Sequence, residues 1–267
     1  MKVTEQPSHF DGLETMSTRD LLEGINAEDR TIADVVRSVI PQVELLVDGI
    51  VERMRQGGRV FYAGSGTSGR LGVLDASEIP PTFGAEPGLF IGVISGGDGA
   101  LRSSIEGAED DPSGAWRDLA PYSPQVMDTL IGIAASGSTP YAVGAIKEAR
   151  SHGLLTACIT CNPGAVLAEE AEIPIVAVVG PEFVTGSTRM KAGTATKMIL
   201  NMVSTSVMIR LGHVRGNKMI DMKLANNKLM DRGTRMLMEE AGITDYEKAK
   251  ELLLKYGSVR SAADSLK

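Results

Sequence analysis

The chain has 267 residues, of which 43% are apolar, and its formal net charge is −7 at pH 7. This length suffices for one core with helical extensions or for two small domains. The acidic balance argues against nucleic acid and anionic membranes as general partners, and no apolar run approaches the roughly 20 residues of a membrane span. Because no secretory signal precedes the first predicted element, we expect a cytoplasmic protein.

The N-terminal region is predicted to be helical. Residues 28–56 carry apolar side chains at helical spacing, and a Gly-Gly pair ends this pattern. Five short apolar runs with strand character follow, and they cover 59–63, 89–94, 129–134, 154–159 and 175–179. The runs are continuous rather than alternating, which is typical of parallel strands that are covered on both faces.

Helical patterns separate most of these strands. They cover 67–78, 98–109, 139–152 and 164–170, and a longer pattern follows at 187–211. Alternating strands and helices predict βαβ units with right-handed crossovers. We therefore expect an α/β fold with a doubly wound, mainly parallel five-stranded sheet. The predicted regions are an N-terminal helical extension (1–56), the sheet domain (57–212) and a C-terminal helical tail (213–267).

Three turns rich in glycine and hydroxyl side chains follow predicted strands and lead into predicted helices. They cover 64–69, 135–140 and 185–194. In a parallel sheet such turns meet at the carboxyl edge, where ligands bind. Backbone N–H groups, hydroxyl donors and the positive end of a helix dipole together suit a phosphate ester. One such turn is weak evidence, because any strand-to-helix turn favours small residues and a Ser or Thr cap, but three at one edge are stronger.

The first turn also has the Gly-x-Gly-x-x-Gly spacing of dinucleotide-binding folds, through Gly64, Gly66 and Gly69. That fingerprint requires an acidic residue about 20 positions later, at the end of the second strand, where this chain has Ser-Gly-Gly. The P-loop pattern fails because Arg70, and not lysine, follows Gly69. The fingerprint is therefore incomplete, so a nicotinamide cofactor is disfavoured, although the glycine spacing alone would permit one.

Glu78 is the first candidate for acid–base chemistry. Pro80 disfavours helical geometry at the residue before it, and Pro81 strengthens the break, so the preceding helix is predicted to end near Glu78. A carboxylate in a last helical turn faces the negative end of the dipole, which raises its proton affinity and suits a general acid. The alternative is an exposed glutamate whose interaction with the dipole is screened by water.

A second acidic cluster runs from Glu106 to Asp111. Asp111 is explained as the cap of the following helix. Its companions, Glu106, Glu109 and Asp110, have no such structural explanation. A second carboxylate near Glu78 would provide an acid and a base in different environments, and the alternative is a solvated acidic face.

Cys158 and Cys161 form a lone Cys-x-x-Cys pair. One interpretation is a redox pair or half of a zinc site. We favour two small apolar residues at the end of a strand, because the chain has no second cysteine pair. The sequence therefore predicts no metal site.

Together these motifs resemble the signature of the N-acetylmuramic acid 6-phosphate etherase family, within the sugar isomerase (SIS) fold. The resemblance is carried by 64–78 with the Pro-Pro-Thr that follows at 80–82, and by 106–110, 134–141, 161–164 and 184–194. It extends from about residue 5 to about residue 230. Two features depart from the family pattern: Ile79 stands where cysteine is common, and the C-terminal tail is shorter than is typical.

The resemblance implies an enzyme that cleaves the C3 lactyl ether of N-acetylmuramic acid 6-phosphate by elimination and hydration, in cell-wall amino-sugar recycling. The products would be N-acetylglucosamine 6-phosphate and D-lactate. By matching position, the resemblance implies that Glu78 is the proton donor and Glu109 the other catalytic acid or base, although the residues alone do not separate acid from base. It also implies a homodimer and no cofactor.

We expect the two glutamates to converge beside an anion that the hydroxyl-bearing turns hold. The expected phosphate and sugar ligands are Ser65, Thr67, Ser68, Ser136, Ser138 and Thr139, with Arg189 and Lys191 as candidates for charge stabilisation.

Two other functions remain open at this point. An aldose–ketose isomerase of phosphosugars would begin with the same removal of a proton from C2 and would need the same phosphate site. A non-catalytic phosphosugar-binding regulator would also need that site but could dispense with both carboxyls, so Glu78 and Glu109 argue against it.

Overall fold

The computed structural model describes residues 2–224 and 226–266. They form two compact units by internal contacts. The first comprises the residues up to Ala76 together with Phe90–Val203, and the second comprises Ser77–Leu89 with the residues from Ser204 onward. The three predicted regions divide the chain differently, and that division stays a prediction.

A five-stranded sheet is the centre of the first unit. Its strands are β1 (Val60–Gly64), β2 (Phe90–Ile94), β3 (Thr129–Ile133), β4 (Leu155–Thr160) and β5 (Ile173–Val176). Neighbouring strands are parallel throughout, in the order β2-β1-β3-β4-β5. The α/β fold and the parallel five-stranded sheet are therefore confirmed.

The strand order reverses beside β1. β2 lies on one side of β1, and β3, β4 and β5 follow on the other. Gly64 at the end of β1 pairs with Ile94 on β2 and with Ile133 on β3, so these three strands end level with one another. Ligands of open α/β sheets bind beyond the carboxyl ends of the strands at such a reversal.

Helices surround the sheet within the first unit, and two helices continue past its limits. They are α1 (Thr18–Asp29), α2 (Ile32–Ser38), α3 (Ile40–Met54), α4 (Gly66–Phe83), α5 (Gly114–Leu119), α6 (Pro140–Ser151), α7 (Val166–Glu170) and α8 (Lys191–Arg210). α3 packs against β4 and β5, α5 against β2, and α6 against β1, β3 and β4. The helical N-terminal region is confirmed, but it is three helices and begins at Thr18, where Ser17 accepts a hydrogen bond from the Asp20 N–H.

The predicted end of α4 is wrong. The helix continues to Phe83 with Pro80 and Pro81 inside it, and the Gly84 N–H still donates to the Pro80 carbonyl (3.0 Å). Proline has a helical φ, so near the end of a helix it removes an N–H donor without forcing the chain out of helical geometry. Glu78 therefore lies more than one turn before the end of α4, where the helix dipole does not raise its proton affinity as expected.

The predicted helix at 98–109 is also wrong. This segment contains two short 3₁₀ turns, Asp98–Leu101 and Ala108–Asp110. Gly107 adopts a left-handed conformation with φ 72°, which an α-helix cannot contain. Glu109 consequently lies on a short turn and not at a helix end.

Close packing of α4 against the end of β1 depends on Gly69. A Cβ at this position would lie 2.6 Å from the Gly64 carbonyl oxygen and 2.6 Å from the Ile94 Cγ1 atom. The absence of a side chain therefore lets the first turn of α4 approach the end of the strand.

Replacing Gly69 with alanine is expected to lower the free energy of unfolding by about 1–3 kcal/mol, because the new methyl group meets backbone that cannot easily move. Denaturant unfolding measures this change. Gly99→Ala is the matched control, since its Cβ would meet only Ile105 at 3.6 Å. Equal stabilities for the two variants would contradict the packing argument.

Besides the ends of α4 and α8, the described part of the second unit contains a short antiparallel hairpin and three helices. These are β6 (Val214–Arg215), β7 (Lys218–Met219), α9 (Asn227–Ala241), α10 (Tyr246–Tyr256) and α11 (Val259–Asp264). Each helix has a side-chain cap at its start, from Asn226, Asp245 and Ser258. Their apolar faces share a small core that includes Leu237, Leu253 and Ala262. The short helices beyond residue 216 are confirmed, whereas the hairpin was not predicted.

None of the described helices is long and apolar enough to cross a membrane.

Candidate active site

The turn between β1 and α4 presents backbone donors and hydroxyls. Gly66 begins α4 with φ 51°, a conformation that favours glycine. The first N–H groups of an α-helix have no partner within the helix, so Thr67 and Ser68 present donors at the positive end of an 18-residue helix. Within the described residues, the Ser65 hydroxyl oxygen is buried without a hydrogen-bond partner, and a ligand in the cavity would supply one.

The turn between β3 and α6 is fixed by hydrogen bonds from the residues that follow β4. The Cys161 N–H donates to the Ala135 carbonyl (3.0 Å), and the Asn162 side-chain amide donates to the same oxygen (2.9 Å). Gly137 has φ 65°, and Thr139 precedes Pro140 at the start of α6. These contacts place the Ser136 and Thr139 side chains at the carboxyl edge of the sheet.

All three hydroxyl-bearing turns converge on one cavity of about 240 Å³ within the first unit. The predicted residues that line it are Ser65, Thr67, Ser68, Ser136, Thr139 and Glu109. The third turn and the start of α8 add Thr188, Ala192, Gly193 and Thr196. Because the three turns belong to different strands, the parallel register of the sheet is what brings them together.

A second cavity of about 230 Å³ adjoins the first and shares Ser65, Gly66 and Glu109 with it. Arg70 lines this second cavity, and its guanidinium donates to the carbonyls of Ala100 (2.7 Å) and Leu101 (3.1 Å). The site therefore has hydroxyls and helix N–H groups at its centre, a carboxylate between its two halves and a cation on one side.

Three predicted ligands do not line the main cavity. Ser138 accepts a hydrogen bond from the Lys2 ammonium and lines a neighbouring cavity of about 310 Å³. Arg189 is exposed to solvent. Lys191 is 3% exposed, and its ammonium is paired with the Glu28 carboxylate. Charge stabilisation by these two cations stays a prediction.

The Glu28–Lys191 pair fixes the start of α8 beside the cavity. Burial raises the pKa of Glu28, but hydrogen bonds from Lys191 and His9 outweigh that effect and hold the pKa below its ordinary value of 4.5. Nearby, the wholly buried Glu182 carboxylate accepts hydrogen bonds from the backbone N–H groups of Lys191 (2.8 Å) and Ala192 (3.0 Å), while burial raises its pKa. Glu28 and Glu182 thus anchor the third hydroxyl-bearing turn.

Glu28→Gln is expected to lower the free energy of unfolding by about 3–5 kcal/mol, because it leaves the Lys191 ammonium buried without its counter-charge. Since the folded-state pKa of Glu28 lies below its unfolded value, its stabilising contribution is present above pH 4.5 and is lost as pH falls through the folded pKa. The variant should therefore lose less stability than the wild type in that acid range.

Denaturant unfolding at several pH values measures both effects. Glu23→Gln is the matched control, because Glu23 pairs with Arg19 on the surface with both side chains more than half exposed, and it should change stability by less than about 1 kcal/mol. A loss as small for Glu28→Gln as for the control would contradict a structural role for the buried pair.

Glu78 lies on α4, ten residues beyond Ser68, in the part of that helix assigned to the second unit. Its side chain is exposed, and it is not among the residues that line either of the two cavities described above. Glu109 is also exposed, but it borders both cavities.

The cysteine pair lies in the core of the first unit. Cys158 and Cys161 are buried free thiols, and burial raises the pKa of each to about 12. At neutral pH they are protonated, which suits packing and not nucleophilic or metal-binding chemistry. Across residues 2–224 and 226–266, no group of three or more His, Cys, Asp or Glu side chains is arranged to hold a metal ion.

Known proteins resemble this chain along its entire length. It is 61% identical to an N-acetylmuramic acid 6-phosphate etherase of Porphyromonas gingivalis, over 100% of this chain and 97% of the relative. The protein of the same name from Bacteroides fragilis is 60% identical over 100% of this chain and 95% of the relative. The chain belongs to the N-acetylmuramic acid 6-phosphate etherase family.

More distant matches agree with this family at the level of the fold. The family model described as "Glucokinase regulatory protein N-terminal SIS domain" matches residues 42–150. A phosphoheptose isomerase from Francisella tularensis has a TM-score of 0.56 and 17% identity, over 73% of this chain and 100% of that protein. The phosphoheptose isomerase GmhA from Neisseria gonorrhoeae has a TM-score of 0.53 and 14% identity, over 72% and 98%. At these identities the similarity shows a shared fold.

Among the acidic residues of the cavity in this etherase-family chain, Glu5 was not predicted. Glu5 contributes its side chain from the segment before α1. No local pattern marks it, because it lies outside every helix and strand that frames the three turns. Thr188 and Arg70, by contrast, belong to motifs that the sequence already singled out.

Proposed function

We propose that this protein is a carbon–oxygen lyase that cleaves the C3 D-lactyl ether of N-acetylmuramic acid 6-phosphate, giving N-acetylglucosamine 6-phosphate and D-lactate. The observation that carries this proposal is the identity of about 60%, over the full chain, to proteins of that name. The hydroxyl-lined cavity at the carboxyl edge of the sheet is the physical site that such a substrate requires.

The phosphate of the substrate is expected to meet the hydroxyl-bearing turns. The Ser65, Thr67 and Ser68 side chains and the N–H groups at the start of α4 offer donors to phosphate oxygens. Ser136 and Thr139 offer further hydroxyls from the opposite turn. Dipoles and neutral donors of this kind bind a phosphate ester without a metal or a buried cation.

The carboxyls supply the proton transfers. In the proposed elimination a base removes the C2 proton of the open-chain aldehyde, the C2–C3 double bond forms, and the C3–O bond breaks as an acid protonates the departing lactate. Water then adds across the double bond, with oxygen to C3 and hydrogen to C2, so no electrons are gained or lost overall. A poor alkoxide leaving group requires such an acid, and carboxyl groups can serve both roles.

Glu109 is our candidate for one of these groups because it borders the cavity, and Glu78 is the candidate for the other because of its place in the sequence motif. We also propose a homodimer in the cytoplasm. Glu78 is exposed, so in a dimer it is available to a substrate held by the neighbouring copy.

Incubation with N-acetylmuramic acid 6-phosphate in ¹⁸O-labelled water tests the proposal. We expect one D-lactate per sugar, measured with a lactate dehydrogenase, and ¹⁸O at C3 of N-acetylglucosamine 6-phosphate with none in the lactate. Label in the lactate would contradict elimination. Ketose formation from a hexosamine phosphate without lactate release would instead indicate an isomerase.

A further inference from the structure

The segment before α1 is fixed against the first unit by specific contacts on both sides of Glu5. Thr4 is wholly buried, its N–H donates to the Asn162 side-chain oxygen (3.3 Å), and its hydroxyl accepts from the Asn162 amide (3.0 Å). Ser8 donates from its N–H to the Thr185 hydroxyl (3.0 Å) and from its hydroxyl to the Phe183 carbonyl (2.8 Å). The backbone around Glu5 is therefore anchored and not a loose terminus.

Two of these anchors are tied to the hydroxyl-bearing turns. Asn162 also donates to Ala135, in the turn that carries Ser136, and Thr185 begins the turn that carries Thr188. The N-terminal segment thus joins two of the three turns and places Glu5 between them.

The Glu5 side chain reaches the cavity. It lines the same 240 Å³ cavity as Glu109 and the hydroxyl ligands, and a Cβ on Gly186 would lie 3.3 Å from its Oε2 atom. The Glu5 side chain is exposed, and within the part of the chain that the structure describes its carboxylate has no hydrogen-bond or ion-pair partner, whereas Thr4 and Ser8 on either side of it are hydrogen-bonded.

A carboxylate in a cavity for a phosphate ester repels the phosphate. It benefits binding only when it accepts a hydrogen bond from a donor group elsewhere on the ligand, and such charge-assisted bonds are strong. An N-acetylated hexosamine phosphate carries such donors, namely its hydroxyls and its acetamido N–H.

We propose that Glu5 is a specificity-determining residue of this site, whose carboxylate accepts a hydrogen bond from an O–H or N–H donor of the amino sugar. This inference rests on the proposed function for the class of ligand. The glutamate thereby selects a sugar phosphate over free phosphate, which offers no such donor at that position.

The experiment compares wild type, Glu5→Gln and Glu14→Gln by calorimetric titration with N-acetylglucosamine 6-phosphate, glucose 6-phosphate and inorganic phosphate. Glu14 is the matched control, because it is an exposed acid of the same segment that does not line the cavity. We expect Glu5→Gln to weaken binding of N-acetylglucosamine 6-phosphate about 10- to 100-fold and to leave phosphate binding unchanged or tighter. The control should match wild type with all three ligands.

Glucose 6-phosphate identifies the donor, because it lacks the acetamido group. If the acetamido N–H is the donor, Glu5→Gln loses the preference for the acetylated sugar, whereas a hydroxyl donor predicts equal weakening of both sugars. Binding of N-acetylglucosamine 6-phosphate to Glu5→Gln as tight as or tighter than to wild type would overturn the proposal, since a carboxylate that only repels anions gives that result. This experiment measures binding, so it tests the role of Glu5 separately from the reaction. Absence of lactate release in the wild type would contradict the proposed function itself.

Discussion

Glu109→Gln is expected to reduce kcat for D-lactate release by about 10²- to 10⁴-fold, while binding of N-acetylglucosamine 6-phosphate stays within a few-fold of wild type. The amide has the size of the carboxyl but cannot take up or deliver a proton. Glu109 borders both halves of the site, so its loss should remove a step of the reaction and not the binding of the phosphate, which we propose that the hydroxyl-bearing turns provide. Steady-state lactate assays and titration calorimetry measure the two quantities.

The matched control is Asp110→Asn. Asp110 is the next residue on the same 3₁₀ turn, is exposed and does not line either cavity. It should keep wild-type turnover. If Asp110→Asn loses as much activity as Glu109→Gln, a general effect of the acidic turn would explain the result, and the assignment of Glu109 would be withdrawn.

Glu78→Gln is expected to cause a loss of turnover of the same order, about 10²- to 10⁴-fold, with sugar-phosphate binding retained. The control is Glu86→Gln, an exposed acid of the same unit that lies in no motif of the family. Unchanged turnover in Glu78→Gln would remove this residue from the mechanism.

Mixing the two inactive variants tests whether Glu78 serves the neighbouring copy in a dimer. Random reassociation of Glu78→Gln and Glu109→Gln subunits makes about half of the dimers mixed. If each site takes Glu78 from one subunit and Glu109 from the other, one of the two sites in every mixed dimer is intact. About a quarter of wild-type activity should therefore return. A mixture that stays inactive would show that each subunit uses its own Glu78. Refolding the mixed subunits together, with each variant refolded alone as the control, ensures exchange.

Local sequence patterns correctly predicted the strands and the cavity-lining turns, because the residue types needed in each are set by the local environment. Continuous apolar runs predicted all five strands, because a strand covered on both faces must be apolar on both. Glycine and hydroxyl residues between strand and helix predicted the turns that line the cavity, since such turns need small residues, and parallel strands bring their carboxyl ends to one edge.

Two secondary-structure predictions were wrong, because in each case a second local preference outweighed the one on which the prediction relied. The Pro-Pro pair was expected to end α4, but a helical φ lets proline lie within its last turns, and the helix continues to Phe83. The segment 98–109 was predicted to be a helix. It forms two short 3₁₀ turns instead, and Gly107, in a left-handed conformation, precedes the second turn. The first error concerns where a helix ends and the second concerns whether a helix forms, and both changed the physical argument for the two glutamates.

The sequence by itself determined the five strands of the sheet, the family resemblance and the chemical character of the turns. Each of these depends on residues that are close together along the chain. Tertiary structure alone decided that Glu5 reaches the cavity, that Lys191 pairs with Glu28 and that Arg189 is exposed and does not line the cavity. Thr4 and Asn162, which hold Glu5 in place, are 158 residues apart. Contacts over such a separation form only when packing has brought distant segments together, so no local pattern reports them.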